Sequence, residues 1–152
     1  VLFAAACEIG AILGSCAQQK RKEISKFGYN LGMAFQLMDD ILDYTSFDNV
    51  LGKRVGTDLQ EGKITLPLIH VLRSADNEEK SYLEKIIGKP RITAKDFARA
   101  RKIIEKHGGI DYTLATAENY TKSAIGHLKI FPDSKYKESL LGLTNYMLSR
   151  EK

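Results

Sequence analysis

A helix that carries three carboxylates on one side constrains this sequence more than any other feature. Apolar residues recur at helical spacing from residue 24 to residue 44, and each residue of a helix advances by about 100°. Leu31, Phe35 and Met38 therefore share one stripe, which predicts a face packed against a core. Other apolar residues cover most of the remaining circumference, so the helix is expected to be buried nearly all round. The one polar wedge contains Gly32, Gln36, Asp39, Asp40 and Asp43.

The three aspartates of this wedge require a partner, because an ionised carboxylate is not buried unpaired. Asp39 and Asp43 are one turn apart, and their charges repel by about 1–4 kcal/mol in partly solvated surroundings. A divalent cation would convert that repulsion into ligation. Taken alone, the pattern leaves two interpretations open: a site for a metal or cationic ligand, and an ion pair between helices or an exposed helix end.

Size and charge set the class of protein. The chain has 152 residues, of which 43% are hydrophobic, and this predicts one globular domain. Its 23 basic and 19 acidic residues give a net charge of +4, a mild excess that favours anionic partners such as phosphates. Basic clusters interleaved with aromatics and zinc-finger spacings are both missing from the sequence, so nucleic acid is not a predicted partner. The chain begins without Met, and we interpret residues 1–152 as a single, partial domain.

The first 17 residues are almost continuously apolar, with one charge at Glu8. This run is slightly short for a membrane span and carries a central acid, so a buried or dimer-packing helix is predicted instead. Cys7 and Cys16 would lie about 13.5 Å apart along that helix, too far for a disulfide. We expect both to be small core residues, and, with no signal peptide in the sequence, they favour a cytoplasmic location.

The segment from Thr45 to Ile64 follows the acidic end of the helix and shows no helical period. Its glycines and lysines suit a backbone that wraps around an anion, and a flexible surface loop fits the same composition. It is not a nucleotide phosphate loop, because five residues separate Gly56 from Gly62 and Ile64 stands where Ser or Thr is required.

The rest of the chain has the signals of further helices. Pro67 opens one, Asp76 can cap a second, and the pair Thr93 and Asp96 forms the capping box of a third, which reaches His107. Two more follow, over residues 111–129 and in the C-terminal segment. The last helix is predicted to direct Tyr136, Leu140, Leu143 and Met147 inward. Six or seven helices and no convincing strand predict an all-α fold, a helical bundle.

Read together, the aspartate helix and the glycine-lysine segment resemble the C-terminal half of a trans-isoprenyl diphosphate synthase of the octaprenyl or long-chain polyprenyl type. The residues that carry the resemblance are Gly32-Met33-Ala34-Phe35-Gln36-Leu37-Met38-Asp39-Asp40-Ile41-Leu42-Asp43 and Gly52-Lys53-x-x-Gly56-x-Asp58-x-x-x-Gly62-Lys63-x-Thr65-Leu66-Pro67. The first run matches the second aspartate-rich motif of that family, and the second matches the segment that follows it.

The resemblance implies a homodimeric prenyltransferase with Mg²⁺ as cofactor. In such an enzyme Mg²⁺ draws charge from an allylic diphosphate, and isopentenyl diphosphate attacks the resulting carbocation. Asp39 would ligate Mg²⁺ directly, and Asp40 and Asp43 directly or through water. Gln36 would lie beside the allylic substrate, Lys53 and Lys63 would bind its diphosphate, and Asp58 would hold lysine or metal-bound water. Asp39, Lys53 and Lys63 are thus the implied catalytic residues, and Arg150 and Lys152 would help to close over isopentenyl diphosphate.

The sequence also departs from the family pattern, because it contains one aspartate-rich motif instead of two and lacks the family's Lys-Thr pair. We therefore expect this chain to be a fragment of a longer enzyme that is inactive alone. Two alternatives are a non-catalytic regulatory subunit of a heteromeric synthase, and a helical interaction module whose carboxylates only pair with lysines.

Overall fold

The computed structural model describes residues 1–45, 56–89 and 91–149, and within these ranges every regular element is helical. This confirms the all-α prediction. The helices are α1 (Leu2–Leu13), α2 (Gln18–Thr45), α3 (Thr57–Gln60), α4 (Leu66–Ser74), α5 (Asn77–Ile86), α6 (Ala94–Lys106), α7 (Gly109–His127) and α8 (Lys135–Ser149), and a single 3₁₀ turn, Leu128–Ile130, follows α7.

The helix ends form where local side-chain chemistry predicts them. Asp76 caps α5 by accepting a hydrogen bond from the backbone N–H of Glu79 at 2.8 Å. Thr93 and Asp96 form the predicted capping box of α6. Gly108 follows that helix with a φ of +68°, a left-handed angle that glycine adopts without strain.

Helix α2 is the organising helix that the sequence predicts, and it begins earlier than expected, at Gln18. Phe27, Leu31 and Met38 of its apolar stripe are buried, which confirms the core face. Gln36, a residue of the polar wedge, is exposed, and Tyr29, which lies seven residues earlier on the same side of α2, is about half exposed.

The chain divides into two compact units, and helices α2 and α7 contribute residues to both. The first unit comprises Val1–Met38 and Ala115–Lys152. Its core contains Phe27, Leu31, Ala124, Leu128 and Met147. In this unit α1 approaches α2 so closely that a Cβ at Gly28 would lie 2.5 Å from the carbonyl oxygen of Phe3.

The second unit, Asp39–Leu114, contains the end of α2 and helices α3 to α6. Helix α6 packs against α4 and α5. The core of this unit is formed by Tyr44, Leu59, Leu68, Val71, Ala75, Leu83, Ile86, Ala100, Ile103 and Ile104.

Three expectations about single elements are wrong. The segment before Ile64 contains a short helix, α3. It has four residues, which are too few for a helical period to be recognised in the sequence. Cys16 is exposed because α1 already ends at Leu13, although both cysteines are free, as predicted. Tyr136 is 72% exposed and Leu143 is 42% exposed, since the core of the first unit involves Leu140 and Met147 of α8 but neither of these two residues.

Among the described residues, no helix is long and apolar enough to span a membrane.

Candidate functional site

The three aspartates of the polar wedge lie in the last two turns of α2, within the second unit. Asp40 is buried, with 7% of its surface exposed, and Asp39 and Asp43 are partly buried. Charged side chains at such depth require polar or ionic partners, as the sequence predicted.

Asp43 binds three successive backbone amides of the chain that returns to α2. Its carbonyl oxygen accepts the N–H of Gly56 at 3.0 Å. Its carboxylate oxygens Oδ1 and Oδ2 accept the N–H groups of Thr57 and Asp58, each at 3.1 Å. Burial raises the pKa of the Asp43 carboxyl, and the nearby charge of Asp58 adds to the rise, while the two amides oppose it.

Asp58 and Lys63 form a second contact of the same region. Lys63 Nζ lies 2.9 Å from Asp58 Oδ1 and 2.7 Å from Glu61 Oε2, so one exposed ammonium is shared between two carboxylates. Hydrogen bonds to Glu61 and Asp58 raise the pKa of Lys63, which therefore stays protonated at neutral pH. An incoming phosphate could replace Glu61 as the partner of this cation.

Tyr44 follows Asp43 on α2 and is fully buried. Its hydroxyl lies 3.4 Å from Thr65 Oγ1, the side chain of the residue that precedes α4. Burial raises the pKa of Tyr44 to about 12, and the charges of Asp43, Asp58 and Asp40 contribute to that rise. Tyr44 and the three carboxylates all belong to the second unit.

The sum of charges around the aspartates is strongly negative. Residues 39–45 and 56–65 contain five acidic side chains and one basic side chain, Lys63. All five acidic groups offer carboxylate oxygens, the ligands that Mg²⁺ and Ca²⁺ prefer. Within the ranges that the structure describes, however, no three His, Cys, Asp or Glu side chains are grouped closely enough to hold a metal ion by themselves. The metal-binding roles of Asp39, Asp40 and Asp43 stay predictions.

The remaining predicted site residues lie elsewhere. Gln36 is on the part of α2 that belongs to the first unit. Lys53, Arg150 and Lys152 fall outside the described residues.

Sequence reasoning missed three contributors to this region, which are Tyr44, Glu61 and Thr65. Glu61 is two residues from Lys63, and that spacing was a usable signal for an ion pair. Tyr44 and Thr65 are 21 residues apart, so no local sequence pattern predicts their contact.

The comparison with known families decides the assignment, because the model of the polyprenyl synthetase family matches residues 1–104. The chain belongs to the polyprenyl synthetase family. The matched range contains the aspartates of α2, all of α3 and Lys63. The resemblance found in the sequence is thereby confirmed at the level of the family.

Individual polyprenyl synthetases agree with this assignment over almost the whole chain. The octaprenyl diphosphate synthase of Escherichia coli (strain K12) is 35% identical, over 99% of this chain and 46% of the relative. The geranylgeranyl diphosphate synthase of Methanosarcina mazei is 36% identical, over 99% of this chain and 45% of the relative. A similar solved structure is that of a polyprenyl synthase from Caulobacter crescentus CB15, complexed with calcium and isoprenyl diphosphate. It has a TM-score of 0.89 and 41% sequence identity, and the match covers 99% of this chain and 46% of the Caulobacter chain. The chain thus spans about half the length of these relatives.

Proposed function

We propose that this chain supplies the second aspartate-rich side of the active site of a trans-prenyl diphosphate synthase, which joins isopentenyl diphosphate to an allylic prenyl diphosphate. The observation that carries the proposal is the connection from Asp43 through the amide of Asp58 to Lys63. It combines carboxylates and a fixed ammonium in one region of the second unit. Membership of the polyprenyl synthetase family supports the reaction class.

The donor set of α2 fits a hard divalent cation. Asp39, Asp40 and Asp43 would hold Mg²⁺, which when bound neutralises the charge of the diphosphate leaving group. Each carboxylate oxygen of Asp43 accepts one hydrogen bond from an amide N–H, and an ionised carboxylate has about four acceptor positions, so capacity for metal-bound water is left. The Caulobacter enzyme, which was crystallised with calcium and isoprenyl diphosphate, supports a divalent metal for this family.

The side chains of this chain would bind and orient the diphosphate. Lys63 would bind diphosphate oxygens while Asp58 keeps its ammonium in place. Lys53 would contribute a second positive charge, and Gln36 would lie beside the allylic group. Arg150 and Lys152 would help to cover isopentenyl diphosphate.

The assembly is proposed to be a homodimer. Leu2, Ile9 and Leu13 fall within about 40° of each other on α1 and are all exposed. Beside them an apolar groove of about 290 Å³ is lined by residues of α1, α2 and α8. Exposed apolar side chains and an apolar groove are both typical of a protein contact. The single partial domain and the cytoplasmic location stay predictions.

Calorimetry on the chain tests the proposed site against an interaction module. We expect inorganic pyrophosphate to bind in the presence of Mg²⁺, and Asp39→Asn to weaken that binding at least about tenfold, because one direct metal ligand is lost. Asp133→Asn is the matched control, since this aspartate is 96% exposed on the other unit. Absence of Mg²⁺-dependent binding, or equal binding by Asp39→Asn, contradicts the proposal.

The same sample tests the regulatory-subunit alternative. We expect no elongation of an allylic diphosphate by the 152 residues alone, because one aspartate-rich motif supplies only part of a metal site. Stimulation of a separate catalytic subunit on mixing, with Asp39→Asn as active as the wild type, would favour the regulatory role.

A further inference from the structure

Helix α3 has a capping arrangement that its own sequence cannot supply. It has only four residues, too few to be stable as an isolated helix. Its N-cap is Gly56, which has no side chain to accept the unpaired amides of the first turn. Asp43, thirteen residues before Gly56, accepts them instead with both carboxylate oxygens.

The opposite end of α3 is also fixed. Leu59 is fully buried, and its carbonyl oxygen accepts the backbone N–H of Gly88 at 3.1 Å. Asp43 and Gly88 thus hold the helix from two sides within the second unit. Of these two contacts, the one at Asp43 is made by a side chain and can be removed by substitution.

Asp58 connects Asp43 to Lys63 through three hydrogen bonds. Its amide binds Asp43, its carbonyl oxygen accepts the N–H of Lys63 at 2.8 Å, and its carboxylate binds Lys63 Nζ at 2.9 Å. A shift of Asp58 relative to α2 would therefore move both the backbone and the ammonium of Lys63.

We infer that Asp43 is a positioning residue, which fixes α3 through its two amide contacts and, through α3, the Asp58–Lys63 pair. This inference rests on the proposed function, since it assigns Lys63 to the diphosphate. The carboxylate of Asp43 is required for its shape as well as its charge, because two acceptor atoms must meet two neighbouring N–H groups.

Two variants separate shape from charge. Asp43→Asn keeps the size of the side chain but replaces one acceptor by a donor, which opposes an amide N–H. Asp43→Glu keeps the charge but adds a methylene, so its two carboxylate oxygens no longer align with the amides of Thr57 and Asp58. Asp39→Asn removes the same charge from the same helix and serves as the matched control.

Amide hydrogen exchange in the metal-free protein is the first measurement. We expect the amides of Thr57 and Asp58 to exchange about tenfold faster in both Asp43 variants, while those in α6 keep their protection. In Asp39→Asn the two amides should change by less than about twofold. Unchanged protection in either Asp43 variant, or loss of the whole fold in both, overturns the inference.

Steady-state kinetics of the full-length gene product supply the second measurement. At saturating Mg²⁺ both Asp43 variants should raise the KM for the allylic diphosphate about tenfold. Their Mg²⁺ activation constant should rise less than that of Asp39→Asn, because Asp43 would hold the metal through bound water while its carboxylate accepts two amides. A larger effect on the Mg²⁺ constant than on KM in the Asp43 variants overturns the positioning role. Absence of turnover in the wild type contradicts the proposed function instead, and the exchange experiment still decides the role of Asp43.

Discussion

Gly56 shows how a single residue determines the local path of the chain beside the aspartates. Its φ of +79° is left-handed, and a Cβ at this position would lie 2.5 Å from Cδ2 of Phe97. Both the backbone angle and the close contact exclude a side chain. The aromatic ring of Phe97 in turn stacks on Tyr44, with ring centroids 6.4 Å apart.

We predict that Gly56→Ala lowers the free energy of unfolding by roughly 2–4 kcal/mol, since it adds backbone strain to overpacking against Phe97. Gly108→Ala is the matched control, because Gly108 has a φ of +68° but no atom within 4 Å of an added Cβ. It should cost only about 1–2 kcal/mol. Chemical denaturation of both variants measures the difference, and equal losses would show that Phe97 does not constrain this site.

At the scale of elements, Glu79 joins α5 to the end of α6. Its carboxylate oxygens lie 2.8 Å from Lys106 Nζ and 2.6 Å from Nε2 of His107. Hydrogen bonds from Lys106 and His107 lower the pKa of Glu79. A carboxyl with a lowered pKa in the folded state adds stability above its ordinary pKa, and this contribution is lost as the pH falls through the lowered value.

We therefore predict that Glu79→Gln is less stable than the wild type at pH 6 and that the gap narrows toward pH 3.5. Urea unfolding at the two pH values measures it. Glu84→Gln, an exposed position on the same helix, should follow the wild type at both. A gap that stays constant between pH 6 and pH 3.5 would refute the pairing of Glu79 with Lys106 and His107.

The elements differ in how far the sequence could predict them. Residues three or four positions apart define both the core face of α2 and the capping box of Thr93 and Asp96. Such local patterns can be recognised in the sequence alone. Helix α3 depends on Asp43, whose partners are 14 and 15 residues away. The sequence predicts that the aspartates share one face of α2 but does not predict the amide contacts of Asp43, because periodicity shows which residues share a face and not what covers it. Tyr136 was misplaced for the same reason.

At the scale of the whole molecule, the exposed apolar stripe of α1, which contains Leu2, Ile9 and Leu13, offers apolar area for burial against another surface. Leu13 is 81% exposed and Ile9 is 56% exposed. Fully burying such a side chain contributes about 1.5–3 kcal/mol, so the stripe would add measurably to an association.

We predict that the full-length gene product sediments as a dimer and that the double variant Ile9→Lys and Leu13→Lys sediments as a monomer. Tyr136→Lys changes an exposed aromatic residue of α8 and should leave the dimer intact. Analytical ultracentrifugation at micromolar concentration distinguishes the states. A monomeric wild type would contradict the proposed dimer, and a double variant that remains dimeric would exclude α1 from the dimer contact.

The measurement that tests the central claim most directly is prenyl transfer by the full-length gene product and its Asp39→Asn variant, supplied with an allylic diphosphate, labelled isopentenyl diphosphate and Mg²⁺. We predict elongation by the wild type and a loss of at least about a hundredfold in kcat/KM for the variant, because metal stabilisation of the leaving group is worth several kcal/mol. No elongation by the wild type, or undiminished elongation by the variant, would contradict the account.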